Sequence, residues 1–373
     1  MNYSHRQIEL NDQFQLGIDT HLFESNVDIR FCSFKSSTLS SFDVNEIISP
    51  NDKKITENLS FIYPVFLPKK VTKASKAILL LHGLNERNWN KYLTWAEFLC
   101  KSTGKPVILF PIAFHMNRSP IHWSNPRALQ NLMDFRRKKN GNDRSLSFAN
   151  VALSERISEK PSRFYSSGRQ SIDDLAQLFK EIKQGIHPFF LENTQIDIFS
   201  YSIGSFLSQI TIMTNTEGLF SDSKLFMLCG GGIFSSMFGE SRSIMDKSAF
   251  DRLLQYYMTD FSEEVKPNSI SDKIYESFFC MISPDKNKAK REQFFQELGN
   301  RIEGISLEKD KVMPFHGVID ALGTEIVKSR INLLDFSFSY THENPFPVGN
   351  QIKTKEVDFA FNQIFTQASQ FLA

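Results

Sequence analysis

The chain has 373 residues, enough for one large domain or two smaller ones with a substantial buried core. Its 43 Lys and Arg residues nearly balance its 42 Asp and Glu residues, which argues against binding to nucleic acid or to an anionic membrane. The 36 Phe residues argue against disorder and predict a large aromatic core or an apolar pocket.

Cysteine usage and hydropathy predict the compartment. The four cysteines are widely separated and form no C-x-x-C pair, which fits a reducing compartment better than a disulfide framework. The N-terminal sequence MNYSHRQIELNDQF lacks the apolar segment of a signal peptide. The longest nearly uncharged stretch, Leu225–Phe238, is too short to span a bilayer. We therefore expect a soluble, cytoplasmic protein.

The N-terminal part of the chain alternates polar segments with apolar runs. Residues 1–26 are polar and mixed, and we predict an N-terminal arm there. Asp28–Phe34 and Leu59–Leu67 are predicted strands. Between them we predict a Ser-rich loop at Ser36–Ser41 and one helical turn at residues 43–48.

The next part has the pattern of strands joined by helices. Lys76–Leu81 is a continuous apolar run, typical of a buried parallel strand, and residues 89–99 follow it with apolar side chains at helical spacing. Val107–Ile112 is the next predicted strand. Residues 116–168 show no regular pattern and are predicted to be a long loop insertion. Helical periodicity returns near Ser171.

The segment Thr194–Met213 combines a strand, a tight turn and a helix. An apolar run ends in the small-residue turn FSYSIG, and apolar residues at helical spacing follow. Ser202 lies at the centre of this turn, as in the nucleophile elbow G-x-S-x-G. Ser200 replaces the first glycine and Gly204 keeps the second. An ordinary strand–turn–helix is the alternative interpretation.

Beyond the elbow the strand–helix alternation continues, with one interruption. Residues 233–300 are charged and helical in pattern, and we predict that they form a helical cap. The other predicted elements are the strands Lys224–Cys229, Gly304–Leu307 and Ile331–Tyr340 and the helices His316–Gly323 and Glu356–Leu372.

This alternation predicts an α/β fold with a mostly parallel twisted sheet and helices on both faces. The predicted core comprises residues 27–232 and 301–373. Because parallel strands cross over with one handedness, the loops after their C-terminal ends share one edge of the sheet. We expect the functional site at that edge.

A serine hydroxyl needs a base to become a nucleophile, and the base needs a carboxylate to orient it. His342 follows the last predicted strand and is the predicted base, with His316 as the weaker candidate. Asp310 follows another predicted strand and is the predicted orienting acid, with Glu308 as the competing carboxylate. The predicted catalytic set is therefore Ser202, Asp310 and His342.

The ordered motifs HGLNERNW, FPIAFHMNRSP, FSYSIG, KDKVMP and YTHENPFP resemble the α/β-hydrolase superfamily, specifically an uncharacterised bacterial branch. The resemblance spans about residues 59–372. It implies an oxyanion hole formed by the backbone N–H groups of Leu84 and Ile203. Asn85, His115 and Tyr201 are the predicted substrate-pocket residues.

Other patterns give weaker hypotheses. Gly230–Gly232 lacks the spacing of a dinucleotide-binding loop, and His115 with His122 lacks a third ligand for a metal. The basic run Arg136–Lys139 is predicted to be a solvated face. Three residues near the active edge could bind a substrate carboxylate, although surface or capping roles are favoured: Arg87, Asn117 and Arg118.

The favoured prediction is a serine hydrolase that cleaves an ester, thioester or amide through an acyl-enzyme, without cofactor or metal. The alternative is a catalytically silent member of the fold that binds or scaffolds. We expect the cap to cover Ser202 and to favour a small acyl substrate with an apolar portion. The apolar residues expected to build this cover are Phe234, Met237, Phe250, Leu253, Leu254, Tyr256, Tyr257 and Met258.

Overall fold

The computed structural model describes residues 1–37, 51–141, 143–267, 271–349 and 353–373. The predicted loop Ser36–Ser41 lies largely outside these ranges, and the predicted turn at residues 43–48 lies wholly outside them.

A single sheet of nine strands organises the described residues. The strands are β1 (Thr20–Leu22), β2 (Val27–Lys35), β3 (Ser60–Pro68), β4 (Ala74–Leu81), β5 (Val107–Leu109), β6 (Phe190–Tyr201), β7 (Leu225–Leu228), β8 (Ile302–Leu307) and β9 (Ile331–Leu334). Their order is β1-β2-β3-β5-β4-β6-β7-β8-β9. The pairs from β1 to β5 are antiparallel, and the pairs from β5 through β4 to β9 are parallel. The predicted mostly parallel sheet is confirmed.

Helices surround this sheet. They are α1 (Tyr3–Gln13), α2 (Thr56–Leu59), α3 (Asn90–Thr103), α4 (Pro126–Asn140), α5 (Val151–Glu159), α6 (Arg163–Lys183), α7 (Ile203–Thr214), α8 (Lys247–Thr259), α9 (Phe261–Glu264), α10 (Lys273–Cys280), α11 (Lys288–Leu298), α12 (Phe315–Leu322), α13 (Thr324–Arg330) and α14 (Thr354–Leu372). None of those in the described ranges combines the length and apolar character that a membrane crossing needs.

Two hydrophobic cores cover the two faces of the sheet. In β4 alternate residues face opposite cores: Leu79 and Leu81 belong to the core under α6 and α7, whereas Ile78 and Leu80 belong to the core under α3 and α14. This explains why the buried part of β4, Ala77–Leu81, is apolar without interruption, because a strand segment buried on both faces has no polar side.

Residues 1–26 differ from the predicted arm. They form α1 and β1, and α1 packs against α3 and α14 with Leu10 fully buried. The polar side chain of Arg6 is also buried, because its guanidinium pairs with the Glu97 carboxylate at 2.6 Å. The segment was predicted to be an arm because its composition is polar. Some of its polar residues are in fact buried, where they pair with residues from other segments.

The predicted loop at residues 116–168 is also different, since it contains α4, α5 and the start of α6. Asn125 caps α4 by accepting from the N–H of Arg127, and Pro126 occupies the first turn.

Strand β9 ends at Leu334, short of the predicted Tyr340. The alternation beyond it arises from packed rings, because Phe336 and Phe338 stack with centroids 5.3 Å apart.

Candidate active site

Ser202 occupies the tight turn between β6 and α7. Its φ of +57° lies in the left-handed region, and its side chain is buried, with 3% of the residue exposed. A Cβ at Gly204 would lie 2.7 Å from the carbonyl oxygen of His82, so this position requires glycine. Ser200 is accommodated because its hydroxyl reaches both Ser205 Oγ at 3.0 Å and the Phe226 carbonyl oxygen at 3.2 Å.

A buried chain of hydrogen bonds connects Ser202, His342 and Asp310. Ser202 Oγ lies 2.7 Å from His342 Nε2, and His342 Nδ1 lies 2.7 Å from Asp310 Oδ2. Asp310 Oδ1 accepts from the backbone N–H groups of Val312 and Met313, each at 2.9 Å. With Nδ1–H donating to the carboxylate, Nε2 is free to accept the hydroxyl proton of Ser202.

The competing residues lie elsewhere. His316 is exposed at the start of α12, and Glu308 is exposed two residues before Asp310. Neither has a recorded hydrogen bond or ion pair with Ser202 or His342 in the described part of the chain. The structure therefore brings together the three residues favoured by the sequence.

The sequence predicted Tyr201 as a substrate-pocket residue. In the structure its side chain instead packs against His342. Its ring stacks on the imidazole at an interplanar angle of 17°, and its hydroxyl donates to the His342 carbonyl oxygen. The residue is fully buried, and burial raises the pKa of this hydroxyl well above its usual value. The alternation of β6 places Tyr201 on the face opposite Ser202, and only the pairing with His342 reveals its role.

Two backbone amides beside Ser202 have no acceptor among the described residues. The first is that of Ile203, which begins α7, where an N–H has no partner within the helix. The second is that of Leu84. The preceding amide of Gly83 is already used, because it donates to the Tyr92 hydroxyl at 2.9 Å. No sequence pattern indicates this hydrogen bond of Tyr92.

His82 shapes the turn that contains Leu84. Its Nε2 accepts from the N–H of Ile112 at 2.9 Å, and its Nδ1 donates to the Gly83 carbonyl oxygen at 2.8 Å. Burial lowers the pKa of His82 well below its usual value, so the imidazole is neutral. A Cβ on Gly83 would lie 3.4 Å from Ser202 Cβ, which shows how closely this turn approaches the serine.

Two adjoining cavities open beside these amides and share Leu84, His115, Phe164 and Ser167. The first, which we call the arginine cavity, is also lined by Asn85, Glu86, Arg87, Phe114, Ser119, Trp123, Ser124, Ala152, Leu153, Arg156, Ile157, Arg163 and Met245. The second, which we call the apolar cavity, is also lined by Ile112, Tyr165, Gly168, Arg169, Ile172, Ile203, Phe206, Leu207, Ile210, Ile274 and Phe278.

Two predicted pocket residues, Asn85 and His115, line these cavities. Asn85 Nδ2 donates to the carbonyl oxygens of Ala149 and Ser243 at 2.8 and 2.6 Å. His115 Nδ1 lies 2.9 Å from the Ala113 carbonyl oxygen, and its buried Nε2 has no partner in the described structure. Burial lowers the pKa of His115 to about 4, so it presents a neutral acceptor.

The segment 233–300 is largely helical where it is described and contributes Met245, Ile274 and Phe278 to the cavity walls. Of the residues expected to build the cover, five are buried: Phe234, Phe250, Leu253, Tyr256 and Tyr257. Met237 and Leu254 are partly buried, and Met258 is 45% exposed. None of these eight residues lines either cavity; the wall residues from this segment are different ones.

The basic run Arg136–Lys139 is not a uniformly solvated face. Arg136 is fully buried and pairs with Asp246 and Glu155 at 2.7 and 2.5 Å. Helical periodicity explains the difference, since only one residue of the run faces inward while the three that follow it are exposed.

Two further candidates for a substrate carboxylate are excluded. Arg118 is fully buried and pairs with Asp174 at 2.6 Å, and Asn117 donates to the Ile62 carbonyl oxygen. Within the described ranges no three His, Cys, Asp or Glu side chains are grouped to hold a metal ion.

A mostly parallel sheet with helices on both faces, and a serine at positive φ between a strand and a helix, define the α/β-hydrolase fold. The chain belongs to the family of unknown function DUF6051, whose model matches residues 1–373. A search of curated proteins found no match.

Solved structures with a similar chain course include a hyperthermophilic esterase from the archaeon Pyrobaculum calidifontis, with a TM-score of 0.45, 12% identity, and coverage of 100% of this chain and 89% of that one. Carboxyl esterase 2 from the fungus Tuber melanosporum has a TM-score of 0.42, 10% identity, and coverage of 100% and 97%. The thermophilic carboxylesterase EstE1 from a metagenomic library has a TM-score of 0.39, 10% identity, and coverage of 99% and 94%. Because these TM-scores and identities are low, the fold is assigned from the strand order of this chain and not from the similarity to these structures.

Proposed function

We propose that the protein is a serine hydrolase that cleaves an ester, thioester or amide through an acyl-enzyme on Ser202. The observation that carries the proposal is the buried chain Ser202–His342–Asp310, with both hydrogen bonds at 2.7 Å. A general base within this distance can take the hydroxyl proton as the oxygen attacks. The carboxylate orients the imidazole and stabilises its protonated form.

In the acylation step, Ser202 Oγ forms a bond to the substrate carbonyl carbon while His342 Nε2 takes the hydroxyl proton. The carbonyl oxygen gains negative charge, and the N–H groups of Leu84 and Ile203 are free to donate to it. Such donors contribute about 3–4 kcal/mol each to transition-state stabilisation. The bond to the leaving group then breaks, and His342 returns the proton to that group. Water repeats the sequence to release the acid.

The proposed cover consists of residues 116–168 and 233–300, which we call the cover segments. Both line the cavities next to Leu84 and Ile203, and the apolar cavity favours a substrate with an apolar portion. Exclusion of water would strengthen the interactions at the developing oxyanion.

Labelling with a fluorophosphonate probe tests the nucleophile. We expect the wild-type protein to be labelled, and Ser202→Ala to lose labelling and to hydrolyse acyl esters on the order of 10⁴-fold more slowly or worse, with unchanged thermal unfolding. Ser208→Ala is the matched control, because Ser208 Oγ lies in α7 and only donates to the Gly204 carbonyl oxygen.

Labelling that persists in Ser202→Ala would place the nucleophile elsewhere. A wild-type protein that resists the probe and hydrolyses no ester in a series of graded chain length would favour a binding or scaffolding role for this fold.

A further inference from the structure

The arginine cavity contains a cation, Arg87, that has no carboxylate partner among the residues the structure describes. Arg87 lies next to the turn that carries Leu84, and the cavity is directly beside the proposed oxyanion site. The described acceptors of Arg87 are the backbone carbonyl oxygens of Phe148 and Ala149, both reached through Nη2. Its Nε and Nη1 therefore remain available to a ligand in the cavity.

The other charged groups of this cavity are balanced. Arg156 and Arg163 share the carboxylate of Asp52, at 2.8 and 2.7 Å. Arg163 also pairs with Glu159, and Glu86 pairs with Lys91.

Within the described part of the chain, the charge of Arg87 is consequently in excess. Removing a charged group from water costs free energy unless a counter-charge replaces the water, so a half-buried, unpaired guanidinium favours an anion at this site.

Arg156 places a second guanidinium on the wall of the same cavity. Its Cζ lies 4.1 Å from the ring centroid of Trp123, and its Nη1 donates to Asp52. These contacts hold the side chain in place, while Nε and Nη2 have no acceptor in the described structure. A fixed guanidinium matches the planar geometry of a carboxylate.

We infer that the arginine cavity binds a carboxylate group of the substrate, with Arg87 as its principal ligand and Arg156 as a second. The inference deepens the proposed function, because it makes the substrate an acyl compound with an apolar part on one side of the scissile bond and a carboxylate on the other. The apolar part enters the apolar cavity, and Leu84 lies on the walls of both.

Calorimetric binding tests the site without any need for turnover. The ligands are phenylacetate, 4-phenylbutyrate and 6-phenylhexanoate, each compared with its neutral primary amide. We expect at least one carboxylate to bind Ser202→Ala about tenfold more tightly than its amide, as for a charge-assisted hydrogen bond. Adding Arg87→Gln should remove this preference, and Arg87→Lys should restore part of it.

Arg137→Gln is the matched control, since Arg137 is exposed on α4 and lines neither cavity. It should keep the preference for the carboxylate. An equal affinity for acid and amide across the series, or a preference that survives both Arg87→Gln and Arg156→Gln, would overturn the inference.

Hydrolysis then locates the carboxylate relative to the scissile bond. The first comparison is phenyl hemiglutarate with phenyl valerate, and the second is 3-(butyryloxy)benzoate with phenyl butyrate. One anionic ester should exceed its neutral partner in kcat/KM by about tenfold in the wild type and lose this advantage in Arg87→Gln.

Carboxylate binding without hydrolysis or probe labelling would leave the binding site standing and reject the proposed enzyme. Equal hydrolysis of the anionic and neutral esters in both comparisons would support the proposed enzyme and reject the carboxylate site.

Discussion

The edge of the sheet and the cover segments above it are held in place by different forces. At the edge, Ser202 and Asp310 directly follow parallel strands, and backbone N–H groups fix the Asp310 carboxylate. In the cover segments, buried ion pairs between residues distant in sequence add to the apolar packing, as in the pair of Arg136 with Asp246.

This difference separates two kinds of structural information. Backbone turns and strand ends are set by neighbouring residues, so they place the candidate catalytic groups by local rules. Buried ion pairs depend on partners from separate segments, and the desolvation of each charge is offset only when both partners are present. The edge should therefore tolerate changes in the cover better than the cover tolerates the loss of one charge.

Asp310→Asn tests the edge and has the largest expected effect. The amide cannot orient and stabilise the imidazolium as the carboxylate does, so kcat should fall by about 10⁴-fold. The free energy of unfolding should change far less, since the asparagine oxygen can still accept from the backbone N–H groups of Val312 and Met313.

Steady-state kinetics and denaturant unfolding measure the two effects of this change. Glu308→Gln is the control and should retain nearly full activity, because Glu308 is exposed. A loss below tenfold in Asp310→Asn, with a severe loss in Glu308→Gln, would show that Glu308 and not Asp310 orients the imidazole.

Arg136→Ala tests the cover. It leaves the Asp246 carboxylate buried without its main counter-charge, although this carboxylate still caps α8 through the N–H of Ala249. We expect a loss of about 3–5 kcal/mol in the free energy of unfolding, measured by urea denaturation. Arg137→Ala, at an exposed neighbouring position, should change it by less than about 0.5 kcal/mol.

The kinetic consequence sharpens the contrast. At a temperature where Arg136→Ala stays folded, fluorophosphonate labelling should persist, because Ser202 makes no hydrogen bond to the described residues of the cover segments. Complete loss of labelling in a folded Arg136→Ala protein would show that the edge depends on the cover.

The dependence of stability on pH tests His115, where the edge and the cover meet. Burial lowers its pKa to about 4, against about 6.5 in the unfolded chain. Between these values the unfolded state binds more protons, so the free energy of unfolding rises with pH across this interval and falls as the pH drops. The shift corresponds to about 3 kcal/mol at neutral pH.

His115→Gln should flatten the acid limb of this profile, as measured by urea denaturation at a series of pH values. His187, which is buried elsewhere and has its pKa lowered to about 4 by burial, should keep its own contribution in that variant. His5→Gln, at an exposed position, is the control. An unchanged slope in His115→Gln would mean that His115 is already accessible to protons in the folded state.

The sequence by itself determined the parallel sheet, the turn around Ser202 and the position of Asp310 after a strand, whereas the strand expected directly before His342 ends at Leu334. These features depend on runs of apolar residues and on a small-residue turn, which are read within a few neighbouring positions. The placement of Leu84 could be proposed from a resemblance, but the engagement of Gly83 by Tyr92 became visible only in the structure.

Only the tertiary structure decided which polar residues are buried. Arg136 and Asp246 are 110 positions apart in the chain, and Arg6 and Glu97 are 91 apart. A charged residue has the same local signature on a solvated face as in a buried pair, because its partner comes from another segment. Folding supplies the partner, and with it the packing of residues 1–26 and of the cover segments. Folding also leaves Arg87 with no carboxylate partner among the described residues.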